Sequence, residues 1–403
     1  MDKSIKRYAK VFPWYSGFTG DLLFYIAIDT LFLTLVKDFS AAQIVSLTSV
    51  SQLVCIALQF PVLFVIKKIG NTASIRTGAF FLLMSSVFIT FGNTYFLVLL
   101  GRIFHDVALI FKEASVVALE NNLDLIDARG DFVRIRTSAN TVYSVITMLI
   151  AFVASYMFNL NHYLPMFGCI ATCLTGFVLS LFLKDCSDYN KISYKKSNKE
   201  RVKIGFDATV ILIIVAYSIF YMLVNAGQSE GKLFMQQEFL LDFDVDTTSL
   251  ILGGIILVSR IIRVLSNLLF AKLYARYQMK MGVVLAVLLA SAIGFILFGS
   301  LMPEIITKII VMAVGYTIIL FARDPFRLYI QDVLFMKTPK ESHQTLLTML
   351  AFGVKIGTAG TGLAFAAILL KYPMIGVISI IFAVAIIETI LSIILYNKMK
   401  IKA

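Results

Sequence analysis

A dozen long apolar segments, six on either side of one basic polar stretch, constrain this 403-residue chain more than any other feature. A bilayer-spanning helix takes about 20 mostly apolar residues, so about twelve of them with short loops use nearly the whole length. The segments run approximately over 12–35, 42–66, 75–93, 95–119, 136–158, 162–184, 208–229, 248–271, 281–301, 305–335, 344–370 and 373–396. With 59% hydrophobic residues against 15% charged, a soluble protein would lack the polar surface to cover its core, whereas helices facing lipid need none. The expected fold class is an all-α polytopic membrane protein. Its 12 transmembrane helices form two pseudo-symmetric six-helix bundles, 1–184 and 208–403, joined by a basic linker at 185–207.

The net charge of +12 is shared among alternate loops instead of gathering on one face, which argues for membrane topology and against nucleic-acid binding. Lys3, Lys6, Arg7 and Lys10 precede the first segment, and Lys67, Lys68 and Arg76 surround the turn between the second and third. Arg129, Arg134 and Arg136 fill the four–five loop, Lys191, Lys195, Lys196, Lys199, Arg201 and Lys203 the linker, and Lys272, Arg276 and Lys280 the eight–nine loop. The intervening loops are neutral, as at Asn159–His162, or acidic, as from Glu230 to Asp246. Both termini are therefore expected in the cytoplasm, and compact loops with a Lys/Ile-rich composition fit a bacterial plasma membrane. The first segment is too long for a signal-peptide core and lacks a small-residue cleavage site, so it reads as helix one. Cys55, Cys169, Cys173 and Cys186 lack metal-site spacing and read as free thiols, with neither metal nor cofactor expected.

The halves repeat faintly. Phe111-Lys112-Glu113 and Ala322-Arg323-Asp324 occupy matching places in helices four and ten, 211 residues apart. The loops that follow, Asp127-Ala-Arg-Gly-Asp131 and Thr338-Pro-Lys-Glu-Ser342, lead at one offset into Thr- and Ser-rich helix starts. Six plus six helices, a basic central loop and cytoplasmic termini resemble the major facilitator superfamily over essentially the whole chain. The superfamily's loop between helices two and three reads like G-x-x-x-D-R-x-G-R-K; Leu63 to Thr72 retains Lys68 and Gly70 but places Lys67 where the acid belongs. Gly101-Arg102 is similar to the superfamily's arginine region in helix four. The resemblance implies two bundles rocking about a central cavity lined by helices one, four, seven and ten, with a site near the midplane. It also implies a monomer.

An ionised side chain at the bilayer centre costs roughly 2.5–3.5 kcal/mol unless it finds a partner or water, so the charges inside these segments need a reason. Asp21, Tyr25 and Asp29, spaced by four, stay on one face of a continuous helix and form a stripe about 12 Å long. Buried carboxylates suit proton coupling, and Asp21, Asp29 and Glu113 are candidates, with His105 as a fourth because imidazole titrates near neutrality. Arg102 and Asp106, four apart, are positioned to neutralise each other; Lys112 joins them as an ion-pairing or gating residue, with Lys68 and Asp324. Arg260, Arg263, Arg323, Arg327 and Lys355 leave the second half with excess positive charge, and paired guanidiniums suit a carboxylate or phosphate. These five with Tyr25 are the candidate substrate contacts, and a base on helix eight with a lysine on helix eleven is similar to organic-anion carriers of the oxalate–formate type. The same acids and bases could instead pair across the bundles and gate, touching no substrate.

No phosphate-binding loop, zinc spacing or nucleophile elbow is present, which argues against ATP coupling within the chain and against an enzyme. The leading expectation is a secondary transporter of a small organic anion or zwitterion, with protons as coupling ion. The alternatives are a proton-driven exporter of cationic amphiphiles and, in another class, a non-transporting receptor or assembly partner.

Overall fold

The computed structural model describes residues 2–128, 131–186, 208–337 and 343–401. Within them thirteen α-helices make twelve spans: α1 (Asp2–Phe18) and α2 (Leu23–Leu31) share the first. The others are α3 (Ala41–Ile69), α4 (Asn71–Phe91), α5 (Tyr95–Asp124), α6 (Phe132–Leu160), α7 (Leu164–Ser180), α8 (Ala208–Leu240), α9 (Val245–Tyr277), α10 (Met281–Gly299), α11 (Ile305–Lys337), α12 (His343–Leu369) and α13 (Met374–Ile401). Helices answer the bilayer's demand that every backbone group be satisfied within its own segment. Ten segments are long and apolar enough to cross a membrane, with α1 and α2 counted together. The other two are α7, only 17 residues long, and α5, which is 30 residues long but carries Arg102, Asp106, Lys112 and Glu113 through its middle.

Two expectations are corrected. The first span is not one continuous helix, because the chain leaves helical geometry between Phe18 and Leu23 and ends in a π-helical turn, Phe32–Val36. The seventh runs to Leu240, so Glu230 and Lys232, read as part of an acidic loop, are buried inside α8 at 7% and 4% exposure. The linker from residue 187, together with Arg129, Gly130 and the loop 338–342, lies outside the described residues.

By internal packing the chain divides into unit one, residues 1–39 with 50–198, and unit two, residues 40–49 with 199–403. In unit one Tyr8, Phe12 and Tyr15 of α1 pack on Ala114 and Ala118 of α5 and Ala79 of α4. The small residues let the helix axes approach, which matters in lipid, where packing and hydrogen bonds replace the hydrophobic effect as the force between helices. Tyr8 also donates to the Ser115 carbonyl at 2.7 Å. In unit two the Phe220 and Phe326 rings stack with centroids 3.5 Å apart, joining α8 to α11. A Cβ at Gly315 would stand 2.5 Å from the Ala292 carbonyl, so glycine is what lets α11 lie against α10.

Candidate functional site

The break in the first span builds the polar centre of unit one. A Cβ at Gly20 would lie 2.3 Å from two carbons of the Tyr143 ring, so the chain passes α6 closely at a residue without a side chain. Helix ends leave backbone groups without intrahelical partners, and side chains take up several of them here. Thr19 donates its hydroxyl to the Tyr15 carbonyl at 2.7 Å, and Lys112 donates its ammonium to the Ser16 carbonyl at 3.2 Å. Across the break, Asp21 Oδ1 accepts the Leu22 N–H at 2.8 Å. A cation thus sits at the carbonyl end of α1 and a carboxylate at the amide end of α2, both favoured by the helix dipoles.

His105, 5% exposed on α5, connects this break to a second carboxylate. Its Nε2 lies 2.8 Å from Asp21 Oδ1 and its Nδ1 3.0 Å from Asp106 Oδ1. Against two ionised carboxylates a neutral imidazole, with one N–H, donates only one hydrogen bond, and both contacts become hydrogen bonds when both ring nitrogens carry protons. With both carboxylates ionised, losing that proton removes one of the two bonds.

Asp106 turns to His105 instead of Arg102. The Arg102 guanidinium instead lies 5.9 Å from the Tyr25 ring centroid. Asp106, Asp21 and Asp29 are near enough to attract it, yet among the described residues none comes within 4 Å. Asp29 accepts the Thr30 N–H at 2.7 Å. Lys112 and Asp21 therefore meet at the break, Tyr25 and Arg102 lie beside it, and Glu113 and Lys68 are exposed side chains without a hydrogen bond or ion pair among the described residues.

Unit two gathers the basic candidates around α11. Arg263 on α9 grips Asp324 with two bonds, Nε to Oδ2 at 2.7 Å and Nη2 to Oδ1 at 3.2 Å. Arg327 reaches the same carboxylate at 3.9 Å. Arg323 donates from Nη1 to the Gln228 amide oxygen at 3.1 Å, while Tyr221 donates to the Arg323 carbonyl at 2.7 Å. Arg260 and Arg263 are close enough to Arg323 for their charges to repel. Among the described residues neither Arg260 nor Arg323 has a carboxylate within 4 Å. Lys355 on α12 is half-buried and makes no hydrogen bond or ion pair with the described residues.

Three side chains of consequence went unread in the sequence. Gln228 orients Arg323, Lys37 donates to the Thr90 carbonyl at 2.7 Å beneath the Phe32 and Tyr163 rings, and Glu230 is buried beside Ser229, which donates to it. The cue for Gln228 was its i, i+4, i+7, i+11 spacing with Tyr217, Tyr221 and Val224 on one face of α8.

No protein-family model matches the chain, and no curated protein sequence matches it. Solved structures do, over almost their whole length. The nucleoside transporter NupG superposes with a TM-score of 0.77 at 12% identity, covering 98% of this chain and 99% of that one. A bacterial homologue of the iron transporter ferroportin, in an inward-facing state, gives 0.70 at 12% identity, with 98% and 99% covered. The POT family transporter PepTSo gives 0.68 at 9% identity, with 100% and 99% covered. The chain thus has the all-helical, multi-pass fold of these three structures, the fold that its resemblance to the major facilitator superfamily implies.

Proposed function

We propose that this protein is a secondary active transporter of a small organic anion or zwitterion, driven by protons and working by alternating access of the bundles 1–184 and 208–403. The observation that carries the reading is His105 held between Asp21 and Asp106 at the break in span one. Discontinuous spans mark ligand and ion sites in transporters, and a buried imidazole between two carboxylates is a group whose charge and hydrogen bonds change together. The anion side of the reading is supported by Arg260 and Arg323, which have no carboxylate within 4 Å among the described residues. Asp29 and Glu113 are secondary proton carriers in this scheme, and Arg102 with Tyr25 holds the neighbourhood of the break. The protein works as a monomer in a bacterial plasma membrane with both termini in the cytoplasm.

The test is pH change in proteoliposomes on addition of carboxylates, amino acids, short peptides or cationic dyes, for the wild type, Asp21→Asn and His105→Gln. Proton movement with an anion or zwitterion, abolished in both variants, is the expected outcome. Movement with cationic dyes alone transfers the case to drug export, and solute flux without protons removes the role of His105.

A further inference from the structure

The arginine group of unit two carries more positive charge than a singly charged substrate can answer. Asp324 is 6% exposed, and both its oxygens are engaged by Arg263. That leaves Arg260 and Arg323 without a carboxylate within 4 Å among the described residues, and Arg327 with only this one, at 3.9 Å. The partner Arg323 does have, the amide oxygen of Gln228, is neutral; it orients the guanidinium and cancels none of its charge. The same amide leaves its Nε2 buried with no hydrogen-bond partner. Around Arg323, then, the unused polar capacity is donor capacity, because guanidinium and amide nitrogens accept nothing. The charges of Arg263 and Arg260 repel that of Arg323.

Resting on the anion reading above, we infer that this group receives a doubly charged anionic head, a phosphate monoester or a dicarboxylate, in preference to a monocarboxylate or a zwitterion. A monocarboxylate offers two oxygens and one charge, enough for one guanidinium fork. It leaves the second cation and the Gln228 Nε2 donor as they were. A phosphate monoester above its second pKa, about 6, brings close to two charges and three acceptor oxygens. It answers Arg260 and Arg323 together and still has an oxygen for the amide. A dicarboxylate matches the charge with four oxygens on two centres. Arginine at these positions, where lysine would supply the same charge, agrees with recognition of planar or tetrahedral oxyanions by forks.

Isothermal titration calorimetry on the purified full-length chain at pH 8 separates charge from shape. Phenyl phosphate and phenyl sulfate share body and tetrahedral head and differ by one charge; succinate and butyrate make a second pair. Within at least one pair the dianion should bind roughly tenfold or more tighter, equivalent to about 1.4 kcal/mol. The pair with the larger ratio identifies the head as phosphate or dicarboxylate. Arg323→Gln should bring the dianion close to the monoanion, and Arg260→Gln should do the same independently, while Arg323→Lys keeps part of the preference. Equal affinities within both pairs, or a preference that survives both glutamine variants, overturns the inference and leaves an anion transporter standing. Binding of cationic dyes with no binding of any anion overturns the anion reading on which the inference rests.

Discussion

Removing the carboxylate of Asp324 should destabilise unit two more than any other single charge change there. Asp324 is 6% exposed and Arg263 is 25% exposed, with two hydrogen bonds between them. Breaking a buried pair costs about 3–5 kcal/mol because the surviving charge is left without compensation. The quarter exposure of Arg263 places Asp324→Asn near the lower end, about 3 kcal/mol, since water reaches the stranded guanidinium. The neighbouring Arg323 carries the same sign and cannot replace the lost carboxylate. For a cooperative unit of about 200 residues, each kcal/mol shifts the melting point by about 2–4 °C, so the expected fall is about 6–12 °C. Arg263→Leu should cost less, about 1–2 kcal/mol, since Arg327 at 3.9 Å can close on the carboxylate. The double variant Arg263→Leu/Asp324→Leu replaces both charges by apolar side chains and should recover most of the loss. The assay is the temperature at which half of the detergent-solubilised protein leaves its monodisperse size-exclusion peak. Asp324→Asn within about 2 °C of wild type, or a double variant that equals the sum of the singles, would refute the reasoning.

Three further outcomes follow from the same geometry. Gly20→Ala puts a methyl group within 2.3 Å of the Tyr143 ring and should cost about 1–3 kcal/mol in a melting assay, with part regained in Gly20→Ala/Tyr143→Ala. Lys112→Met leaves the Ser16 carbonyl without its charged donor and should lose about 1.5–3 kcal/mol, whereas Lys112→Arg should keep most of it; equal losses would show that the charge at the end of α1 is irrelevant. At the start of α9, outside the apolar span, the Thr247 hydroxyl and then its N–H hold the Asp244 carboxyl below the usual carboxylate range. A carboxyl depressed on folding adds stability above its ordinary pKa, about 3.9, and loses it as pH falls through the folded value. Asp244→Ala should therefore melt lower than wild type at pH 7 and converge with it as pH falls below the usual carboxylate range.

Hydropathy made the number and order of the spans legible, because lipid admits only long apolar helices and the basic loops punctuate them. It failed where polar residues lie inside a helix. Glu230 and Lys232 ended the seventh segment on paper, yet α8 continues through them to Leu240, since a buried charge that finds partners costs the helix nothing in backbone bonding. The break at Thr19-Gly20-Asp21 was hidden by the opposite effect: three polar or small residues in a long apolar run barely lower its mean, although Gly beside Asp is a turn signal. Site partners were the least legible. A spacing of four suggested Arg102 with Asp106, but Asp106 meets its immediate neighbour His105, and the other partner of His105 is Asp21, 84 residues away. Sequence spacing ranks contacts along one helix; it says nothing of which face of α5 meets the break.

The two units use intramembrane charge in different ways, and the difference separates shape from ligand. In unit one Lys112, Asp21 and His105 each have a partner at the broken helix: the Ser16 carbonyl, the Leu22 N–H and the Asp21 carboxylate, with Asp106 of α5 as a second partner for His105. Changing any of them changes the local fold of span one, so such variants should alter stability and rate together. In unit two Asp324 and Arg263 play that structural part, while Arg260 and Arg323 have no carboxylate within reach among the described residues. Two guanidiniums held without a counter-ion raise the energy of the empty protein, so neutralising either one should leave the melting point unchanged or raise it while weakening anion binding. That pairing of signs, stability kept and affinity lost, is what distinguishes a ligand contact from a structural charge, and it predicts opposite behaviour for Arg323→Gln and Asp324→Asn within the same helix turn.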